Sequence, residues 1–475
     1  MQNGLISTYK AFIFLLVLNF IGIITTLIFN DTIILDELEH LRASYFVSLG
    51  EMPYRDFFEH HHPLIWFTFA PIISILPHNI IFTLYTAKIL AFLFSIGSTF
   101  LIFKIAQRFL GGKFSAILTL NFYFLYFTTW YSFSIFKPDT FMRFFYLLGI
   151  YNFFIYFEEK KLKNLIFCAI AFVISFLYLQ TIAFSILPLV LPFIYILHKN
   201  KLIWKDFAKA CVIPIIIILS VITWFYFSGI WDRYFELNWI YNSYLFEVIH
   251  SHTPSILPIF SIEIILAYIS MGFIYFHKKQ NNIFNIICIL FVCECIQRLV
   301  FPAVYPHYLV LLLLFSSFII GYALNMVKKK WIFKISFIIL ILSAIFNFIT
   351  IYITSGKATR NYLKEFDKNP NASTVNFDVS YFNVYAPKYS YYWFYPNFEY
   401  IDNAMFNTLP DYDINEIIRK HKPMFIAYNP KIKQNFNMKN ISQKYKLHDC
   451  FHRHSLDLKI LKDYKEILPN LYKRN

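Results

Sequence analysis

Stretches of about 20 apolar residues recur along this chain from Ala11 to Ile353, and that repetition limits the fold more than any other feature. A bilayer core about 30 Å thick takes ~20 helical residues to cross. No water reaches that depth, so backbone polar groups must be satisfied inside helices or closed barrels. The pattern therefore predicts a mainly α fold, a polytopic transmembrane helical bundle of about 11 spans at ~20 residues each. The spans are expected at residues 11–30, 81–103, 114–130, 141–157, 165–179, 182–197, 207–227, 256–276, 283–300, 308–326 and 331–353. A composition of 58% hydrophobic and 15% charged residues excludes an ordinary soluble globular protein. The first apolar run has no small-residue cleavage site and reads as a retained helix.

The net charge of +15 does not point to nucleic acid, because the basic residues lie in short clusters between apolar runs and form no continuous face. Those clusters report topology. Lys104 with Arg108 and Lys113, Lys160 to Lys163, Lys199 to Lys205, Lys278 with Lys279, and Lys328 to Lys330 all fall on one side, which the positive-inside rule makes cytoplasmic. Parity then requires the short apolar stretch Leu64–Leu76 to be interfacial. The opposite, outer side receives loops 31–63, 131–140, 228–255 and 301–307 and the chain beyond Ser355.

Two domains follow: a transmembrane domain at 1–354 and an extracytoplasmic C-terminal domain at 355–475. The latter reads as small and α/β, with a helix at Asp413–His421 and strands at Pro423–Tyr428 and Ser455–Leu461. Cys168, Cys211, Cys288, Cys293 and Cys295 lie in apolar segments, which argues against a disulfide or zinc framework built on cysteine.

Loop 31–63 is dense in charge for such a chain. It carries Asp31, Asp36, Glu37, Glu39, His40 and Arg42, then Gly50, Pro53-Tyr54-Arg55-Asp56 and Glu59-His60-His61-His62. Leu38, Leu41, Tyr45 and Leu49 recur at helical spacing, so a helix ending at Gly50 is expected, with Asp36 and His40 one turn apart on one face. A solvated loop that merely avoids lipid is the plainer alternative. Lys88, Glu263, Glu294 and Arg298 lie within spans, where charge is costly and marks function; Glu294 and Arg298 are also spaced to pair with each other. In Lys137-Pro138-Asp139, the proline opens a helix and puts Asp139 at its N-terminus, where a carboxylate is stabilised. Capping alone would explain it. The histidine run leaves a divalent metal open, although adjacent residues seldom all reach one ion, and no cofactor is otherwise indicated. No phosphate loop or dinucleotide fingerprint is present. The chemistry that suits an acidic outer site is attack on a lipid-phosphate-linked substrate, with a carboxylate taking the acceptor's proton and cations stabilising the departing phosphate.

Asp36-Glu37, Gly50, Pro53-Tyr54-Arg55-Asp56 and His62-Pro63-Leu64 resemble, in order and spacing, the first outer loop of GT-C superfamily membrane glycosyltransferases. The resemblance is to family 39-like enzymes related to protein O-mannosyltransferases and the lipid A aminoarabinose transferase. Asp139, Lys88 and Tyr305-Pro306-His307-Tyr308 are similar to further family positions, and the likeness covers about residues 8–353. His62 stands where the family has lysine, and its second proline is absent. The resemblance implies Asp36 as the acceptor-activating carboxylate, with Glu37 and Asp139 shaping the acceptor site. It implies His40, Arg55, His62, Lys88, Lys137, Arg298, Tyr305, His307 and Tyr308 as substrate contacts. The implied reaction is inverting transfer from a polyprenyl-phosphate sugar to a glycan, lipid or protein acceptor on the outer face. The implied setting is a bacterial plasma membrane, in keeping with a composition rich in Ile, Phe, Lys and Asn with only 11 Gly. Membrane lipids are the other expected partners.

A transporter or flippase of a lipid-linked glycan is the main rival, since a polar cavity inside a helical bundle serves it equally. Against it, no matching pair of broken helices occurs in two halves, and the polar residues gather on one side.

Overall fold

The computed structural model describes residues 2–29, 35–190, 192, 194, 202–244, 261–300, 309–327, 329–354, 357–377, 383–393, 401–403, 405–429 and 456–475. The chain is mainly helical and divides into two compact units. One holds residues 1–30, 88–220 and 253–355, the other 31–87, 221–252 and 356–475.

In the first unit, α1 (Gln2–Phe29), most of α4 (Ile80–Phe109), α5 (Gly112–Tyr123), α6 (Phe127–Tyr131), α7 (Pro138–Glu159) and α8 (Leu162–Tyr178) precede four further helices. These are Ile262–Phe276, Asn282–Val300, Val310–Met326 and Lys330–Thr354. Among the described residues of the whole chain, six helices are long and apolar enough to cross a membrane: Thr8–Ile28, Ile80–Phe109, Pro138–Glu159, Trp204–Phe227, Asn282–Leu299 and Lys330–Ile353. Where spans were expected at 165–179, 256–276 and 308–326, the apolar helices are shorter.

Burial sorts these helices. Val310–Met326 is apolar all round and buried along nearly its whole length, as a helix enclosed by others must be. Lys330–Ile353 is mostly uncovered, with large apolar side chains outward. Gly321 lets Val310–Met326 approach α5 closely, since a Cβ there would lie 2.3 Å from Thr119 Oγ1 and 2.7 Å from its backbone nitrogen. Small residues at such crossings are how membrane helices pack backbone to backbone.

The expected span 114–130 is broken between α5 and α6. The carbonyls freed there find side-chain donors: Trp130 Nε1 donates to Phe124 O at 2.8 Å, and Asn347 Nδ2 to Leu125 O at 3.3 Å, with Ser343 donating to the same oxygen. Beyond α8, where 182–197 was expected to span, the chain passes through a 3₁₀ turn at Gln180–Ile182, one α-helical turn and a second 3₁₀ turn at Leu187–Leu189. Pro188 removes a backbone donor at that last turn.

In the second unit, α2 (Leu35–Ser48) packs on α3 (Leu64–Ile73). Gly50, in the left-handed region at φ 87°, ends the α2 segment. At ten residues, α3 is about 15 Å long and too short to cross a bilayer core of about 30 Å. The same unit holds Trp231–Phe235, the π-helical turn Glu236–Tyr241, helix Lys357–Asp367 and a four-stranded sheet. The sheet runs β1 (Thr374–Asn376), β2 (Phe425–Ala427), β4 (Leu471–Arg474), β3 (Tyr464–Leu468) across, parallel at β1–β2 and antiparallel elsewhere. Helix Ile414–His421 precedes β2, and the Asp413 carboxylate accepts from the Asn415 and Glu416 amides at its start. Residues 458–463 form a 3₁₀ helix where a strand was expected, because Asp457 accepts from the Lys459 amide and turns the chain. The strand follows at Tyr464.

Candidate functional site

Two polar groupings collect the candidate residues, one in each unit. The first is built on α2. Its N-terminal turn carries Asp36 and Glu37, where carboxylates complement the helix dipole. The helix then turns Glu37, Glu39, His40 and Arg42 inward so that all four are buried. Amphipathic patterning predicts a helix here with one wet face; the structure buries both.

The loop ahead of α3 returns Glu59, His60, His61 and His62 to α2. His61 Nδ1 lies 3.3 Å from Glu39 Oε1 and 3.3 Å from Glu59 Oε1. The His60 and His61 rings are 4.1 Å apart, and His40 and His61 5.0 Å. Trp66 Nε1 donates to His40 Nδ1 at 3.1 Å. The indole can only donate, so His40 carries its own proton on Nε2 when neutral. His60 Nδ1 meets Asn242 Oδ1 at 2.9 Å, and His62 Nε2 meets Tyr234 OH at 2.9 Å.

Burial dominates the electrostatics of this cluster. It pushes the Glu59 carboxyl up to about 8, with the Asp36 charge adding to the effect. Glu39 is raised well above the ordinary carboxylate range, by burial first and by Glu59 second. His60 is held well below the usual imidazole value by burial and then by His61. Asp36 is only partly covered and acts electrostatically on both Glu59 and His60.

The second grouping is a pocket in the other unit. Lys137, Asp139, Arg143, Gln297 and Arg298 line it together with Ser185. Pro138 occupies the first position of α7 and Asp139 its first turn, as the sequence predicts. Arg143 follows one turn later, buried, with a nitrogen 3.3 Å from Ser95 Oγ. Arg298 pairs with Glu294 at 3.5 Å, the spacing of four realised as an ion pair, and Ser185 donates to Glu294 from the broken segment after α8.

Of the sequence candidates, the structure thus gathers Asp36 and His40 around the α2 cluster, and Lys137, Asp139 and Arg298 around the pocket. Glu37 is buried on α2. His62 is turned to Tyr234. Arg55 is half exposed and held by Asp56 at 2.7 Å, outside the cluster. Lys88 is buried on α4 and does not line the pocket. Tyr305, His307 and Tyr308 lie outside the described residues. Sequence reasoning missed Arg143, although a cation four residues after Asp139 inside an apolar run is the signal that selected Lys88. It also missed Asn242 and Tyr234, which no local pattern distinguishes.

Residues 61–225 match the family described as dolichyl-phosphate-mannose-protein mannosyltransferase. The matched segment begins inside the α2 cluster, at His61, and includes Lys88, Lys137, Asp139 and Arg143. No curated protein matches the chain.

Proposed function

Proceeding from a membrane glycosyltransferase of GT-C type, which the match over residues 61–225 supports, we propose that the chain moves a sugar from a polyprenyl-phosphate carrier to a hydroxyl or amine acceptor at the outer face of a bacterial plasma membrane, with inversion at the anomeric carbon. The family match carries this reading. In the proposed step, Asp36 takes the acceptor's proton as the acceptor atom bonds to the anomeric carbon. The bond from that carbon to the carrier phosphate breaks, leaving the phosphate with the negative charge. A partly covered carboxylate is more accessible to an incoming acceptor than the buried Glu39 and Glu59, and so suits the base. In the other unit, the cations Lys137, Arg143 and Arg298 line a pocket that suits an anionic group such as a phosphate. Glu37 shapes the acceptor side beside Asp36.

The test is release of carrier phosphate by the purified protein supplied with polyprenyl-phosphate sugars. Asp36→Asn is expected to insert and fold but not transfer. Full activity in that variant would sink the assignment of Asp36 as base. Failure of the wild type with every such donor, alongside movement of a lipid-linked glycan across vesicles, would replace the transferase reading by a flippase. Outer placement is tested by labelling a single cysteine introduced at Lys368 in intact cells with a membrane-impermeant reagent.

A further inference from the structure

Within the α2 unit, Glu39, His60 and His61 each offer one ligand atom, and the three atoms lie within 4.8 Å of one another. Their surroundings are arranged as the outer partners of a metal site would be. Asn242 Nδ2 donates to the His60 carbonyl at 2.7 Å and to the Asn238 carbonyl at 3.3 Å. That fixes the amide so that Oδ1 faces His60 Nδ1, which must then be the donor, and leaves the lone pair on Nε2. Glu59 lies against His61 Nδ1 and orients that ring in the same way. Glu39 Oε1 is buried, with His61 Nδ1 as its neighbour at 3.3 Å.

Glu39 and Glu59 are buried side by side, with His61 Nδ1 3.3 Å from each, so α2 and the loop ahead of α3 bring carboxylates and imidazoles to one place.

We infer that Glu39, His60 and His61 bind one divalent transition-metal ion of zinc type, with Glu59 orienting His61 and a fourth position left to water. Two imidazoles and one carboxylate are a zinc-like donor set, whereas magnesium and calcium take mainly oxygen ligands. The ion ties α2 to the loop ahead of α3 and fixes the turn that presents Asp36, three residues before Glu39. The run of three histidines contributes two ligands, and His62 is turned away to Tyr234.

The test uses the full chain in detergent, stripped with chelator, desalted, and titrated with CoCl2 and then ZnCl2. The expected result is one metal ion per chain by elemental mass spectrometry, a visible Co(II) band that saturates at one equivalent, and loss of that band on adding zinc. His60→Ala with His61→Ala is expected to abolish stoichiometric retention, and Glu39→Gln to weaken it at least about tenfold. Wild type that retains no more zinc than the double variant overturns the site, as does retention of MgCl2 or CaCl2 in place of zinc. If the double variant does not fold, the wild type decides alone: a Co(II) titration without saturation at one equivalent overturns the inference. None of these readouts depends on sugar transfer, so they stand or fall apart from the proposed function.

Discussion

The α2 cluster and the α7 pocket are both polar and both largely withdrawn from water, yet they solve the problem of buried charge differently. In the cluster, the carboxylates Glu39 and Glu59 stand against imidazoles, and burial pushes both acids toward neutrality. In the pocket, Lys137, Arg143 and Arg298 line a cavity to which Asp139 is the acid contributed. Arg298 is offset by Glu294 at 3.5 Å, so the pocket combines an ion pair with further cationic lining. On this contrast we propose that the cluster serves proton or metal chemistry and the pocket an anion.

The sharpest way to break that contrast is Asp36→Asn. If the cluster serves a base, the variant is expected to lose about 10²–10⁴-fold in transfer, the range attributed to general base catalysis, with unchanged folding. Carrier-phosphate release at saturating donor measures it. A loss confined to KM would move Asp36 from proton transfer to binding.

Asp402 tests how far charge is compensated elsewhere in the α2 unit. Arg233 holds it through contacts at 2.8 and 3.0 Å, Tyr391 OH lies 3.1 Å from the same guanidinium, and Tyr392 donates to the carboxylate at 2.9 Å. Asp402 is fully buried and Arg233 largely so. Asp402→Ala strands the guanidinium and is expected to destabilise by about 3 kcal/mol, near the low end of the range for breaking a buried pair, because Glu236 remains at 2.7 Å. Thermal unfolding in detergent reads it. Transfer measured below the transition should fall much less than in Asp36→Asn.

Arg143→Gln addresses the pocket. Removing one fixed donor to developing charge typically costs about 10²-fold in turnover, so kcat should drop while unfolding barely moves. If instead stability falls and kcat holds, Arg143 serves the helix through Ser95 and the pocket loses its case as an anion site.

These residues also show what the sequence could and could not reveal. The start of α7 at Pro138, the end of α2 near Gly50 and the short helix ending at His421 were legible because each is decided by a few neighbouring residues. The α5–α6 break was not, since the donors that satisfy Leu125 O come from Ser343 and Asn347 on a distant helix. Pairing of Glu39 with Glu59 through His61 escaped for the same reason. A charged loop looks solvated until the fold closes over it. The strand expected at Ser455–Leu461 failed locally, where one carboxylate competing for a backbone amide outweighed apolar alternation.

Arg55 carries the smallest effect and the finest discrimination. Its guanidinium is half exposed and already doubly bonded to Asp56, at 2.8 and 2.7 Å, with a further 3.3 Å contact to the Ser228 carbonyl. An exposed pair of neighbouring residues contributes at most about 1 kcal/mol. Arg55→Ala is therefore expected to shift thermal unfolding little and to change transfer less than about threefold, since a cation satisfied by its own neighbour has little left to give an incoming phosphate. A loss as large as that of Arg143→Gln would mean that Arg55 exchanges Asp56 for the donor during the reaction. The salt dependence of KM would separate the two cases, being steep for an exposed phosphate contact and shallow for a buried one. The division into an acidic, imidazole-balanced cluster and a cationic pocket would then fail at this residue, because the α2 unit would also hold donor phosphate.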